Sequence, residues 1–584
     1  MRKSPFESGP IGDAASREAL ARIQDEVSSM KAMRTALRHV KKGLLYANDN
    51  KFKEAEACAL QAIKYDQGIL YSWHLLGIAR DKLGDRAGAL EAYERALALG
   101  PESPEIANDL GRLAYRMEMW PQAEALFRHS LALKPDAPEA SNNLAALLRR
   151  ESRPQEAIDV LRTALLAHPE EVILWVTLGT VLGDQGEYDQ AATFYSEALR
   201  LRPNYGKALH NLASIMFGKG QEPEAIAQTF QAIPLAETPE DATMMRFAIG
   251  SMSLSRGDLT QGWKYYAARL EPTFNEPIHF LTDRPQWRPG TDIAGRHLML
   301  YGEQGLGDEV LFANLLADVI ADLGPTGRLT LAVTDRLLPF FQRSFPDVRM
   351  GSHITIAREG RAYRTAPFLK DWSDIDYWAP MAELLQTYRP TIQSFPHRPE
   401  GFMRTDPARI EHWRQTLSHL PGTKVGLLWT SLIMNAGRHL YFSPFEQWRP
   451  VLTTPGATFI NLQYGDQSEA LAFAKREFGV EIYQPAGINL RDDLEDVAAL
   501  SAAMDLVLGV SNASFNLAAA VGAPSWLVTA RRPWTQLGSD SYPWYSQVRV
   551  FSPTTTGDWT GVMAQVADAL GEYVGDGTRM AAAG

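Results

Sequence analysis

Apolar and small positions recur along the first half of the chain with a spacing of 34 residues. From Leu70 onward the pattern reads Gly77, Ala89, Tyr93, Ala96 and then Pro101. The next copies read Gly111, Ala123, Phe127, Ser130, Pro135; Ala145, Ala157, Leu161, Ala164, Pro169; and Gly179, Ala191, Tyr195, Ala198, Pro203. Weaker copies begin at Ala36 (Gly43, Tyr46, Ala55, Ala62) and at Gly206 (Ala213, Ala225, Ala232). Each copy predicts two amphipathic helices, with the proline ending the second because it cannot continue the hydrogen-bond ladder. From Gly295 the period changes. Apolar runs at His297–Leu300, Leu329–Val333, Val425–Trp429, Thr458–Leu462, Leu506–Val510 and Ser525–Val528 alternate with amphipathic stretches. Strands alternating with helices predict parallel sheets covered on both faces.

The first pattern resembles the tetratricopeptide repeat, and its period and small positions agree with that family. Small residues such as Gly77 and Ala89 let paired helices cross closely, while Tyr93 fills the space between repeats. The resemblance implies an all-α superhelix that binds protein along its concave face. The residue before the consensus leucine is Asp109, Asn143, Thr177 and Asn211 in successive copies. That polar ladder would suit the backbone of an extended acceptor peptide, or be simply a solvated helix face. The organisation expected is a lead-in over 1–35, repeats over 36–239, an atypical helical pair and connector over 240–290, a first α/β lobe over 291–390, a linker and helix over 391–423, and a second lobe over 424–584.

Composition narrows the partners. With 584 residues the chain exceeds one core, and a net charge of −11 disfavours a nucleic-acid backbone. The single cysteine, Cys58, excludes an internal disulfide framework and falls within a helical repeat, as a packing residue would. The N-terminal sequence has no apolar signal region, and the charge-free span Leu506–Ala530 is broken by Ser511, Asn512, Gly522 and Pro524. A cytoplasmic protein without stable membrane insertion is expected.

The stretch Tyr301-Gly-Glu-Gln-Gly-Leu-Gly-Asp-Glu-Val310 joins the first strand of the α/β part to a helix. Its glycines, Gly302, Gly305 and Gly307, permit positive φ or close approach of a backbone or ligand. Gln304 and Leu306 fill the turn, and Asp308 stands at the helix start. The Pro-rich passage Arg389–Pro399 then separates two lobes, which predicts a cleft with ligands at the C-terminal strand ends.

These motifs carry a second resemblance. Leu300–Asp308 with Trp287–Gly290, Pro407–Arg414, Lys424–Trp429, Asn461–Gln463, Asp505–Ser511 and Asn516–Trp526 together look like bacterial repeat-containing glycosyltransferases related to heptosyltransferases. The resemblance implies a two-lobed GT-B fold of Rossmann-like halves, acting without a metal and with no cofactor beyond a nucleotide-sugar substrate. A repeat array joined to such a domain is similar to flagellin glycosyltransferases, which place nonulosonic acids such as pseudaminic acid on Ser and Thr. A CMP-linked donor and a flagellin acceptor held by the repeats follow as expectations.

Under that resemblance Asp308 matches the catalytic aspartate after the glycine turn, with Glu303 as the reserve. The alternative for Asp308 is compensation of the helix dipole. Arg438 would hold the donor phosphate through its guanidinium. The helix start Ser511-Asn512-Ala513-Ser514 offers free N–H groups to an anion, although Ser511 or Asn512 could equally be an N-cap. Gln463 and Tyr464, at another strand end, are further nucleotide contacts. Relatives often carry Asp-Thr and His where this chain has Ser511, Asn512 and Asn516, which points away from a heptose donor. Two other readings stay open: a non-catalytic repeat scaffold with a degenerate transferase domain, and transfer to a polysaccharide or lipid-linked glycan.

Overall fold

The computed structural model of the chain describes residues 14–275, 277–358, 361–431, 440–555 and 557–582. The chain forms two compact units, Met1–Thr177 and Leu178–Gly584.

The first unit is all-helical. Its helices are Ala14–Asn48, Phe52–Tyr65, Leu70–Leu83, Arg86–Leu99, Pro104–Arg116, Trp120–Leu133, Pro138–Arg150 and Pro154–Ala167, and Val172–Asp184 crosses its end. The small positions have a direct cause. A Cβ on Gly77 would lie 2.6 Å from the Tyr93 ring, and one on Gly111 would lie 2.8 Å from the Phe127 ring. The aromatic residue of each pair therefore occupies the volume that the glycine leaves, and Tyr93 also packs on Leu110 and Leu113 of the following pair. The helix starting at Arg86 is capped locally: the Asp85 carboxylate accepts from Gly88 N at 2.9 Å. From the second pair on, the second helix of each pair ends two residues before its proline, as at Leu99 and Pro101. The described part of the lead-in is helical, and from Ala14 it runs unbroken into the first repeat helix.

The second unit opens with helices Tyr188–Leu201, Gly206–Gly218, Glu222–Ala232, Pro239–Arg256 and Leu259–Tyr266. The last two touch backbone to backbone, since a Cβ on Gly250 would sit 2.5 Å from Tyr266 N. The strands follow: β1 Ile278–Phe280, β2 His297–Tyr301, β3 Arg328–Val333, β4 Arg349–Ser352, β5 Ile354–Arg358, β6 Arg361–Thr365, β7 Tyr377–Pro380, β8 Thr423–Leu428, β9 Ala457–Asn461, β10 Leu506–Gly509, β11 Ser525–Val528 and β12 Val548–Phe551. One sheet has the order β4-β3-β2-β7 and another β12-β11-β10-β8-β9, and every pairing within them is parallel. A third sheet, β1-β6-β5, contains an antiparallel pair.

The six strands expected from the apolar runs are present, while β1, β4 to β7 and β12 are additional. Those extra strands are short or half polar, as in the wholly exposed β5, so no apolar run announces them. A larger difference concerns the expected cleft. Leu298, Leu300, Val310 and Phe312 of the first lobe share one buried core with Val497, Leu500, Phe515 and Leu517 of the second. The helix Leu306–Phe312 packs on Ala513–Ala520, so the lobes meet through a filled apolar seam along these elements. The repeat-like helices join the same core through Leu254, Leu259, Trp263 and Tyr266. Trp263 Nε1 donates to Arg389 O at 2.8 Å, and Arg532 O accepts from Ser255 Oγ at 2.9 Å.

Candidate functional site

All strands of a parallel sheet open their C-terminal ends on one edge, and ligands of such folds bind there. The candidate loops leave from those edges: Gly302–Gly305 after β2, Trp429–Ser431 after β8, Gln463–Tyr464 after β9, and Val510–Asn512 after β10. They are physically connected. A Cβ on Gly307 would lie 3.1 Å from Asn516 Nδ2 and 3.4 Å from Ala513 Cα, so the glycine lets one helix start reach the other. Asn512 Nδ2 donates to Thr430 O at 3.3 Å. The Gln463 amide oxygen accepts from Trp429 N and Thr430 N, both at 3.2 Å.

The glycine turn is built differently from the expectation of glycines at positive φ. The positive φ falls on Gln304 (63°), whereas Gly305 is extended. Gly302 is needed for space: a Cβ there would stand 2.5 Å from the Glu309 carboxyl carbon. Glu309 is buried and accepts from Thr334 N at 2.8 Å and Thr334 Oγ1 at 2.7 Å, with His353 Nε2 at 3.0 Å. Gly302 O accepts from Arg364 Nη1 at 2.7 Å.

Glu303, the reserve for catalysis, is committed to the fold. Its buried carboxylate receives two bonds from Arg269, at 2.9 and 2.8 Å, and one from Ala382 N at 2.8 Å. Arg269 also donates to Glu383 at 3.1 Å. A desolvated carboxylate paired this way anchors the loop, with both its oxygens engaged by protein donors.

Asp308 differs. It is half-buried, and its carboxylate accepts one hydrogen bond among the described residues, from Gly305 N at 3.1 Å. Burial pushes its pKa up to about 6; the Gly305 N–H opposes the shift, and the charges of Glu303 and Glu309 add to it. A carboxylate poised near neutrality can take a proton in the physiological range. Around it lie Tyr266, Tyr542 and Tyr545, each raised first by burial and further by the charge of Asp308. Tyr545 donates to Asn516 Oδ1 at 3.0 Å, and Tyr542 is buried with Thr535 and Ser511 beside its hydroxyl.

On the facing helix start, Asn512 is the N-cap, accepting from Phe515 N at 3.0 Å. Asn516 donates to Asn512 O at 3.0 Å. Both side chains are thus spent within the protein, while Ser511 and Ala513 stay half-exposed and Ser514 is buried. Gln463 is fully buried and braces the β8 loop, whereas Tyr464 is half-buried at the rim. Arg438 lies outside the described residues.

The repeat ladder is likewise partly used internally. The ring nitrogen of His74 lies 2.9 Å from Asp109 Oδ2, Asn143 Nδ2 donates to Asn108 at 2.9 Å, and Thr177 Oγ1 donates to Asn142. In the second unit Asn211 Nδ2 donates to Thr180 Oγ1 at 3.3 Å. These side chains couple neighbouring repeats.

Models described as tetratricopeptide repeat match residues 38–68, 70–103, 108–171 and 176–242. Over 564 residues the chain is 46% identical to Protein FlbA of Caulobacter vibrioides, covering 96% of this chain and 94% of that protein. The chain belongs to the FlbA family. Among solved structures, PilF of Pseudomonas aeruginosa aligns at 15% identity with a TM-score of 0.33, covering 37% of this chain and 99% of that one. The repeat protein TTC0263 of Thermus thermophilus aligns at 23% identity and a TM-score of 0.28, covering 35% and 100%. In this FlbA-family chain the residues around the glycine turn that the motifs did not single out are Arg269, Glu309, His353 and Tyr545.

Proposed function

We propose that this FlbA-family chain is a protein O-glycosyltransferase whose repeats hold the acceptor. The observation that carries it is Asp308: a carboxylate with a pKa of about 6, at the meeting of loops from two parallel sheets. In the reaction a Ser or Thr oxygen attacks the anomeric carbon of a nucleotide-activated sugar. The bond from that carbon to the phosphate oxygen breaks, the nucleotide leaves with the electron pair, and the hydroxyl proton passes to the Asp308 carboxylate. The half-exposed helix start at Ser511 and Ala513 supports the departing phosphate through backbone N–H groups. Arg438 is assigned to the same phosphate by the resemblance alone. A CMP-linked nonulosonic acid and flagellin are the donor and acceptor on the same basis. Tetratricopeptide repeats are docking modules, which fits a protein acceptor better than a glycan.

A second reading is a non-catalytic platform. The filled seam between the lobes and the internally spent Asn512 and Asn516 favour it. Intact-mass spectrometry of the acceptor separates the two. Flagellin from cells carrying Asp308→Asn should lose the mass of the sugar while the variant still binds flagellin. Unmodified flagellin in the wild type, together with no thermal shift from CMP-, UDP-, GDP- or ADP-sugars, would leave the platform.

A further inference from the structure

The first helix extends well beyond what the repeats cover. It runs from Ala14 to Asn48, yet its first buried residues are Ala36 and Val40. Every side chain described between residues 21 and 31 is exposed. Within that overhang Ile23, Val27 and Met30 are 56, 55 and 55% exposed, and Leu37 and Leu44 continue the line at 40 and 45%. The steps between them are four, three, seven and seven residues, which is one seam of a heptad repeat. A helical overhang without tertiary contacts is marginal in water, and a terminal repeat ordinarily presents a polar outer face. Both features mark one apolar surface that lacks its cover.

Charge identifies the occupant. Between residues 18 and 30, Arg22 is paired with Glu18 at 2.8 Å, which leaves Asp25 and Glu26 as the remaining charges of that stretch. The half that follows carries Lys31, Arg34, Arg38, Lys41 and Lys42 with no acidic residue. Arg34 and Lys41 fall on the seam itself. A parallel copy would stack Arg34 on Arg34 and Lys41 on Lys41, whereas an antiparallel copy sets the acidic half against the basic half. In that register Val27 lies opposite Met30 of the second copy, and Ile23 opposite the aliphatic stem of Arg34.

We propose that this helix pairs antiparallel with the same helix of a second copy, making the protein a homodimer through the N-terminal end of its repeats. The inference is independent of the transferase reading. Sedimentation equilibrium of the full chain at low micromolar concentration should give twice the 64.9 kDa chain mass. Val27→Glu/Met30→Glu should give a monomer that keeps the helical circular dichroism of the repeats, since both positions are exposed in the single chain. A mixture of Ile23→Cys and Arg34→Cys chains should form an interchain disulfide that neither variant forms alone. A monomeric wild type, or a dimer that survives the double variant, overturns the proposal. Cross-linking of Ile23→Cys with itself overturns the antiparallel arrangement. A monomer that co-sediments with phosphatidylserine vesicles would assign the helix to a membrane surface instead.

Discussion

Two polar networks in this chain do opposite work. Around the glycine turn, Arg269 joins Glu303 and Glu383 from positions 34 and 114 residues away, and the Arg269–Glu303 pair is wholly desolvated. Along the repeats, His74–Asp109 and Asn108–Asn143 join residues 35 apart and are only part-buried. The first network holds one loop in one geometry, and each member is costly to leave alone. The second repeats a weak bond many times, so its members are individually dispensable. Fixed geometry suits a reacting site; a repeated, shareable ladder suits a docking face.

The sharpest break in that contrast is Arg269→Ala. It strands the Glu303 carboxylate among Tyr266 and Ala382, and removing one partner of a buried pair costs about 3–5 kcal/mol. Urea unfolding should show that loss in the transition that includes the α/β part. The double variant Arg269→Met/Glu303→Leu should recover only part of it, because Glu303 is then no longer stranded but Glu383 still loses its Arg269 partner. A single variant of near wild-type stability would place the pair in the same class as the repeat ladder.

Asp308 tests the site's electrostatics with a defined sign. Its folded pKa is raised, so below about pH 4 both states are protonated and it has no effect on stability. Between about 4 and 6 the unfolded chain releases the proton that the folded chain keeps, and above about 6 the folded state bears the full cost. Asp308→Asn should therefore stabilise by something on the order of 2 kcal/mol at pH 8 and by nothing at pH 4. Proposed transfer should fall as pH drops through about 6, where the base becomes protonated. A pH-independent stability change would mean that the carboxylate titrates as an exposed one.

The contrast also explains what could be read from the residues. The repeats were legible almost to the residue, because each glycine–aromatic pair, such as Gly111 with Phe127, is local and recurs. The parallel strands were legible from their apolar runs, and the glycine turn from its composition. Arg269 was not, since nothing within 30 residues of it announces a carboxylate partner at Glu303. Nor was Gln304's positive φ, because the neighbouring glycines invite that assignment first. The filled seam between lobes depends on the helices Leu306–Phe312 and Ala513–Ala520 meeting across some 200 residues, a contact with no local signature. Asp308 was found as a residue, while its raised pKa needed the surrounding burial.

Within the repeats, Gly111→Ala pits two effects against each other. Alanine gains about 1 kcal/mol of helix propensity, but its Cβ must push aside a packed Phe127 ring, at about 1–3 kcal/mol. The net expectation is a loss of about 1 kcal/mol by thermal or urea unfolding. Combining it with Phe127→Leu should relieve the clash, and additivity of the two would show that the ring is not what excludes the side chain.

The smallest effect expected is Asn143→Ala, at about 0.5–1 kcal/mol, because the bond to Asn108 is part-buried and water can replace it. Its value lies in separating stability from docking. If the ladder serves a partner's backbone, Asn143→Ala should weaken capture of the acceptor several-fold while Asn108→Ala, which removes the other half of the same bond, weakens it less. Equal losses in both variants would mean that the bond between repeats is all that matters there. The test needs only the binding constant of each variant and of the pair. A ladder that binds should show the two substitutions coupled in stability but not in affinity, and a purely structural one should show them coupled in both.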